Sequence, residues 1–201
     1  MDIGYRLILA SNSPRRKELL AGLGVQFETR VINGIDESYP EGLSVSEIPL
    51  YISGKKADAY RSGMSSDELI ITADTIVAVD NTILGKPVSA EDARRMLRML
   101  SGRSHQVVTG VTLTTVKARH SFSVTTEVWF SQLSDSEIDY YVNKYSPLDK
   151  AGAYGIQEWI GYVGVERIDG SYFNVVGLPV QRLYRELLAF VNLLEASPDN
   201  Q

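Results

Sequence analysis

Short segments rich in apolar and β-branched residues, which are typical of strands, alternate along this chain with segments whose apolar residues recur at helical spacing. The apolar run Leu7–Ala10 leads into Ser13 and Pro14, a typical N-cap and first-position pair of a helix. The same reasoning predicts strands at Val25–Val31, Leu69–Val79, His105–Lys117, Ser121–Phe130, Tyr162–Ile168 and Tyr172–Val176, and helices that begin near Ser46, Ser89, Ser134 and Pro179. Because helices are interspersed with strands, and the two long central strands look like an antiparallel pair, the pattern predicts a mixed α/β fold.

Two arginines occupy an unusual place in the first predicted helix. Arg15 and Arg16 follow Pro14 in the first turn, where the helix dipole favours acidic side chains. A bound anion would explain them, because hydroxyls from Ser11 and Ser13, free N–H groups and two guanidiniums would form a phosphate cradle. A solvated arginine pair on an ordinary helix start is equally compatible with this spacing.

A second irregularity is Asp74, which interrupts the apolar run Leu69–Val79 together with Thr75. A carboxylate in a buried strand is costly unless it is paired or bound to a metal. One interpretation is that the strand bends or ends at Thr72–Thr75 and that Asp74 caps backbone N–H groups. The other is that Asp74 is functional.

The charged residues whose positions are not explained by ordinary helix and strand patterns are of two kinds. They are the cations Arg15, Arg16, Lys56 and Lys86, and the carboxylates Glu37 and Asp74. This mixture fits a metal–polyphosphate site, since cations neutralise phosphate oxygens and carboxylates hold Mg²⁺ or Mn²⁺. A carboxylate can also orient and deprotonate an attacking water. We therefore expect these residues to converge in space.

Composition and charge narrow the classes of protein. The chain has 201 residues, a net charge of −5, two histidines and no cysteine. An acidic total argues against nucleic-acid binding, and the lack of cysteine excludes a disulfide framework or a thiolate metal site. No apolar run approaches the roughly 20 residues that span a bilayer, and the first residues do not form a signal peptide. We therefore expect a cytoplasmic protein without a membrane partner.

Several ordered blocks of the sequence resemble the Maf family. They are Ser11–Leu20, Ala73–Thr75, Leu84–Pro87, Leu100–Arg103 with His105, Thr109–Val111, Asp149–Gln157, Gly170–Tyr172 and Val175–Pro179. Blocks in this order over almost the whole chain are far more specific than any one of them. The resemblance implies an elongated α/β fold similar to that of the inosine triphosphate pyrophosphatases. It also implies a single domain over residues 1–201, with two lobes around a central cleft.

The resemblance further implies a hydrolase that cleaves nucleoside triphosphates between the α and β phosphates, with Mg²⁺ or Mn²⁺ as cofactor. Asp74 would be the catalytic carboxylate, either as proton acceptor for water or as metal ligand, and Glu37 would assist at the metal. The substrate-binding residues would be Ser11, Ser13, Arg15, Arg16, Lys56 and Lys86. Lys56 is preferred to Lys55 because Ala57 follows it, as in the family's Lys-Ala pair.

The choice of base is also implied by the resemblance. Arg15, Thr75 and Gln157 match the positions that separate the family's substrate classes. The form Tyr154–Gln157 is similar to the branch that acts on dTTP and UTP, whereas the branch acting on 7-methylguanosine triphosphate has a glutamate-containing sequence here. An amide offers both a donor and an acceptor to O4 and N3–H of thymine or uracil. Glu158 and Trp159 depart from the glycine and small apolar residue of many relatives.

We therefore expect a homodimeric pyrophosphatase that acts on dTTP, UTP and modified pyrimidine triphosphates. Two alternatives stay open. One is the same chemistry on 7-methylguanosine triphosphate or another modified nucleotide. The other is a septum-associated, nucleotide-binding regulatory protein with vestigial hydrolysis, against which the presence of Asp74 and the full set of cations argues.

Overall fold

The computed structural model describes residues 3–196, which form seven strands and seven α-helices. The strands are β1 (Arg6–Leu9), β2 (Phe27–Thr29), β3 (Glu68–Val79), β4 (Thr82–Leu84), β5 (Ser104–Thr114), β6 (Arg119–Phe130) and β7 (Val165–Asp169). The helices are α1 (Pro14–Ala21), α2 (Glu47–Arg61), α3 (Ala90–Leu100), α4 (Asp135–Tyr145), α5 (Trp159–Gly164), α6 (Tyr172–Val176) and α7 (Val180–Glu195).

The strands form one sheet of both parallel and antiparallel pairs. Their order is β2-β1-β3-β5-β6-β7, with β4 paired to β3. β1 pairs in parallel with β2 and β3, whereas β4 pairs antiparallel with β3 and β7 pairs antiparallel with β6. A short turn joins β5 to its neighbour β6, so these two strands are antiparallel as well. The predicted mixed α/β fold is confirmed.

The chain divides into two compact units. The first unit contains the residues up to Asp74, Thr109–Val124 and those from Gly177 onward, and the second contains Thr75–Val108 and Thr125–Val176. Three of the four boundaries lie inside the long strands β3, β5 and β6. Each unit has its own hydrophobic core.

In the first unit, helices cover both faces of β1. Leu7 and Leu9 belong to a core cluster that includes Leu187 of α7, whereas Ile8 packs against Tyr60 of α2. Successive side chains of a strand point to opposite faces, so α2 and α7 lie on opposite sides of the sheet. α7 presents its apolar residues at helical spacing, as the sequence predicts.

In the second unit, α3 and α4 pack together over a separate core. Leu97 and Tyr141 are fully buried there, with Val128 of β6. Both helices begin at the predicted residues: Ser89 caps α3, and α4 begins with a capping box between Ser134 and Glu137.

Two strand predictions near the end of the second unit are wrong in whole or in part. Residues 159–164 form α5 before the chain enters β7, and Tyr172–Val176 forms α6 instead of a strand. A short apolar run does not by itself distinguish a strand from a buried helix. Here Ser171 favours the helix, because its Oγ accepts the Asn174 N–H at 3.3 Å and its carbonyl oxygen accepts the Val175 N–H at 3.3 Å.

Candidate active site

The loop between β1 and α1 has the predicted helix start. Ser13 is the N-cap, its Oγ accepts the Arg16 N–H at 3.4 Å, and Pro14 is the first helical residue. Ser11 precedes it, and its buried Oγ accepts the Ser13 N–H at 3.2 Å. No acidic side chain lies in the first turn. Arg15 and Arg16 are therefore cations at the positive end of the helix dipole, an arrangement that favours an anion.

Arg16 is held by two backbone carbonyl groups. Its Nε donates to the Gly177 oxygen at 2.8 Å and its Nη1 to the Ala73 oxygen at 2.9 Å. Burial lowers the pKa of this guanidinium, and the neighbouring carboxylate Asp74 offsets part of that effect. Arg16 thus ties the start of α1 to the residue that precedes Asp74 in β3.

Asp74 lies inside an unbroken strand. β3 runs from Glu68 to Val79 without interruption, so the interpretation that the strand ends at Thr72–Thr75 is wrong. Only 9% of Asp74 is exposed. A carboxylate at this depth needs a cationic partner, and that partner comes from α2.

Helix α2 lies directly on the sheet because Gly110 of β5 has no side chain. A Cβ at Gly110 would lie 2.3 Å from the carbonyl carbon of Pro49, in the first turn of α2. Further along α2, Ser53 Oγ is hydrogen bonded to Thr112 Oγ1 at 3.0 Å, and the Ser53 carbonyl oxygen accepts from Thr72 Oγ1 at 2.8 Å. These contacts fix α2 against β3 and β5.

The same register brings Lys56 to Asp74. Lys56 follows Ser53 by three residues on α2, and Asp74 follows Thr72 by two residues on β3, so each pair shares one face of its element. Lys56 Nζ lies 2.7 Å from Asp74 Oδ1 and 3.0 Å from Glu37 Oε1. We call these three residues the Lys56 cluster.

The neighbouring lysine has a different partner. Lys55 Nζ lies 2.6 Å from Asp36 Oδ2 and 3.0 Å from the Ser38 carbonyl oxygen. Lys56, and not Lys55, is therefore the lysine that contacts Asp74. Lys55 holds the coil that carries Glu37, whose side chain is 50% exposed.

The remaining predicted site residues belong to the second unit. Thr75 follows Asp74 in β3 and is half-buried, and Lys86 is exposed in the coil after β4. Gln157 lies near the end of the segment 149–158, which contains a short 3-10 turn at Ala151–Ala153. Its Oε1 is buried and has no hydrogen-bond partner among the described residues. Buried acceptors are rarely left unpaired, so this atom is a candidate for ligand binding.

Sequence reasoning missed a second set of ion pairs, beside Gln157. Lys150 Nζ lies 2.7 Å from Asp149 Oδ1 and 3.1 Å from Glu158 Oε1. We call these three residues the Lys150 cluster. Glu158 also accepts a hydrogen bond from the hydroxyl of Tyr141. The signals of this cluster in the sequence were the family block Asp149–Gln157, which contains Asp149 and Lys150, and the departure at Glu158 from the family pattern.

His105 of β5 is a buried residue with a polar neighbour. Its Nε2 lies 2.7 Å from the Tyr154 hydroxyl, and its ring packs edge-on against Phe130. Burial lowers the pKa of His105 to about 4. The imidazole is therefore neutral near pH 7 and supports the segment that leads to Gln157.

The carboxylates of the Lys56 cluster fit a divalent cation of the Mg²⁺ type. Among residues 3–196, no group of three or more His, Cys, Asp or Glu side chains is placed to hold a metal ion by itself. Mg²⁺ does not require such a group, because it is commonly bound through one or two carboxylates, water and substrate phosphates. Asp74 and Glu37 both reach one ammonium group, so their oxygens lie near each other.

Cations and carboxylates gathered beside a helix N-terminus define a site that can bind a polyphosphate with a metal ion. The chain belongs to the Maf family, whose description, "Maf-like protein", matches residues 6–190. It is 64% identical over 183 residues to the dTTP/UTP pyrophosphatase of Phocaeicola vulgatus, with 91% of this chain and 95% of that protein covered. The dTTP/UTP pyrophosphatase of Bacteroides thetaiotaomicron is 61% identical with the same coverage.

Solved structures to which this chain is similar include that of the Ham1 protein of Staphylococcus aureus. It is 18% identical, with 90% of this chain and 99% of that chain covered and a TM-score of 0.47. A HAM1 protein from Coxiella burnetii is 14% identical, with 96% and 100% covered and a TM-score of 0.45.

Proposed function

We propose that this protein is a nucleoside triphosphate pyrophosphatase that hydrolyses dTTP and UTP to the monophosphate and pyrophosphate. Membership of the Maf family and 64% identity to a dTTP/UTP pyrophosphatase support this activity. The observation that carries it at the level of residues is the Lys56 cluster, in which one ammonium group joins two carboxylates beside the two arginines of α1.

In the proposed reaction, a water oxygen attacks the α phosphorus and the bond from that phosphorus to the bridging oxygen breaks. Pyrophosphate leaves with the bonding electrons. Asp74 accepts the proton of the attacking water as a general base. Arg15, Arg16, Lys56 and Lys86, together with the hydroxyls of Ser11 and Ser13, bind the triphosphate. Charge neutralisation and positioning supply most of the rate in phosphoryl transfer.

Nucleotide pyrophosphatases of the Maf type generally depend on a metal. We propose that Asp74 and Glu37 hold Mg²⁺ or Mn²⁺. The bound ion would supply neutralisation of phosphate charge. Lys56 keeps the two carboxylates together in the absence of substrate, because its ammonium group donates to Asp74 and forms an ion pair with Glu37.

Gln157 is our candidate for recognition of the base, with Thr75 and Arg15 as further specificity residues. The unpartnered Oε1 of Gln157 is suited to accept N3–H of thymine or uracil, and its amide nitrogen to donate to O4. A site built for these hydrogen bonds discriminates against bases that leave its polar atoms unpaired.

The experiment that tests this function is pyrophosphate release from dTTP, UTP, CTP, ITP and 7-methylguanosine triphosphate, with Mg²⁺ or Mn²⁺. We expect dTTP and UTP to be the best substrates and pyrophosphate, with no orthophosphate, to be the product. Faster turnover of 7-methylguanosine triphosphate would keep the chemistry and overturn the base assignment. Nucleotide binding without turnover would instead favour the regulatory alternative.

The organisation as a single domain, the homodimer and the cytoplasmic location are further proposals that follow from membership of the family. In residues 3–196, none of the helices combines the length and the apolar character needed to cross a membrane. Sedimentation velocity on the purified chain would test the homodimer, with a mass of twice 22.3 kDa as the expected result.

A further inference from the structure

The segment 149–158, which includes Gln157, is held by charged groups that the proposed chemistry does not use. Lys150 is 8% exposed, and both of its ion-pair partners, Asp149 and Glu158, carry negative charge. Lys56 also has two carboxylate partners, but the two arginines of α1 lie beside that cluster, whereas in the described part of the chain the ion pairs of Lys150 involve these two carboxylates alone. The pairs with Asp149 and Glu158 connect the two ends of the segment.

A chain of hydrogen bonds closes the same segment from the side of α4. The Gly155 N–H donates to the Tyr141 hydroxyl oxygen at 3.0 Å, and the Tyr141 hydroxyl donates to Glu158 Oε2. Burial, and then the hydrogen bond to Glu158, raise the pKa of Tyr141, so the phenol stays protonated and keeps donating. Glu158 thus accepts a hydrogen bond from Tyr141 and forms an ion pair with Lys150, and both of these partners are buried.

Gly155 is the point where this network meets Gln157. A Cβ at Gly155 would lie 2.8 Å from Gln157 Nε2, 3.1 Å from Glu158 Cδ and 3.1 Å from Lys150 Cε. All three side chains therefore pack closely against the backbone at Gly155, where an added Cβ would require them to shift. The Glu158 and Lys150 side chains thus border the space that the Gln157 amide occupies.

The orientation of that amide decides between uracil and cytosine. Uracil and thymine offer a donor at N3 and an acceptor at O4, whereas cytosine offers an acceptor at N3 and a donor at its amino group. A rotation of the Gln157 amide by 180° exchanges its own donor and acceptor, so a freely rotating amide would pair with either base. Selectivity requires the amide to be held in one orientation.

We propose that Glu158 is a positioning residue for base selection, which acts with Lys150 and Tyr141 to hold the Gln157 amide in the orientation that suits uracil and thymine. This inference rests on the proposed function of Gln157. Glu158 contacts neither phosphate nor the reacting atoms in this scheme, so its removal changes affinity and selectivity and leaves the chemical step intact.

The test compares kcat and KM for UTP and CTP in the wild-type protein and in Glu158→Ala, Glu158→Gln and Tyr141→Phe. For Glu158→Ala we expect KM for UTP to rise about tenfold, kcat to stay within about twofold, and the ratio of kcat/KM for UTP over CTP to fall about tenfold. Glu158→Gln keeps an acceptor and is expected to lose less selectivity than Glu158→Ala. The matched control is Glu166→Gln, because Glu166 is an exposed carboxylate of β7. This substitution should change neither KM for UTP nor the ratio of kcat/KM for UTP over CTP.

A double-mutant cycle separates positioning from a general structural role. If Glu158 acts through Gln157, Glu158→Ala has little further effect on the UTP/CTP ratio once Gln157→Ala is present. An unchanged ratio in Glu158→Ala, or an equal effect in both backgrounds, would overturn the inference. If Glu158→Ala does not fold, Glu158→Gln and Tyr141→Phe decide by the same criteria. A wild-type protein with no preference for UTP over CTP would contradict the proposed function itself.

Discussion

The Lys56 cluster and the Lys150 cluster have the same composition and different surroundings. In each, one lysine ammonium lies within 3.1 Å of two carboxylates. The Lys56 cluster joins residues 37, 56 and 74, which are far apart in sequence, whereas the Lys150 cluster joins residues 149, 150 and 158 of a single segment.

The difference lies in the charge around each cluster. Arg15 and Arg16 add two cations near Lys56, so positive charge exceeds negative charge there and an anionic ligand is favoured. At Lys150, two carboxylates outweigh one ammonium, and a buried phenol satisfies Glu158 further. An ion-pair pattern therefore does not define a role by itself. The balance of surrounding charge distinguishes a cluster suited to bind an anionic substrate from one, such as the Lys150 cluster, that stabilises a segment of the chain.

The largest expected effect is at Asp74. Asp74→Asn removes the proton acceptor and we expect kcat for dTTP to fall about 10³-fold, as is usual for the loss of a general base. Pyrophosphate release measures this loss, with Asp58→Asn as a control because Asp58 is an exposed carboxylate of α2. A variant that keeps a tenth of the wild-type rate would exclude Asp74 as the base.

The next largest effect is expected at the Lys150 cluster. Lys150→Met leaves Glu158 without its cation in a largely buried position, and we expect the free energy of unfolding to decrease by about 3 kcal/mol. Urea denaturation would measure the decrease, and Lys144→Met, on the exposed side of α4, is the control. A loss below about 0.5 kcal/mol would show that the Lys150 cluster does not brace the segment.

At Arg16 the prediction separates charge from geometry. Arg16→Lys keeps the positive charge and loses the planar group that donates to both Ala73 and Gly177. We expect kcat/KM for dTTP to fall about 30-fold, since the cation is no longer held beside Asp74. Arg61→Lys, at the exposed end of α2, should have wild-type kinetics. Equal kinetics of both variants would show that charge alone matters at Arg16.

The smallest effect is a pH dependence of stability from His105. Its pKa is lowered to about 4 from 6.5, so the unfolded chain binds the proton more readily than the folded one. Stability is therefore lost as the pH falls from about 6.5 to about 4, and we expect a contribution of about 2 kcal/mol between pH 7 and pH 4.5. Urea denaturation of wild type and His105→Gln at both pH values measures it. Parallel losses in the two proteins would contradict this assignment.

The features that sequence could predict depend on neighbours in the chain. Ser13 with Pro14, and Ser134 with Glu137, indicate helix starts because a cap bonds only two or three residues ahead. The interruption at Asp74 was visible for a similar reason, since one polar residue stands out in an apolar run.

The features that sequence could not predict depend on distant packing. The meeting of Lys56 and Asp74 requires Gly110 to admit α2 close to β5, which no local pattern reveals. Tyr172–Val176 is a short apolar run that fits a strand as well as a buried helix, and the hydrogen bond from the Asn174 N–H to Ser171 Oγ favours the helix. Glu158 stood out by its departure from the family, but its bond to Tyr141 comes from another element.

The most direct test of the roles proposed for Lys56 and Gln157 compares the kinetics of UTP and CTP hydrolysis in Lys56→Met and Gln157→Ala. If the Lys56 cluster acts on phosphate, Lys56→Met lowers kcat/KM by the same factor, about 10², for both nucleotides and leaves their ratio unchanged. If Gln157 reads the base, Gln157→Ala lowers the ratio of UTP to CTP about tenfold while kcat for UTP stays within about twofold. A changed ratio in Lys56→Met, or an equal loss on both nucleotides in Gln157→Ala, would contradict this division of roles.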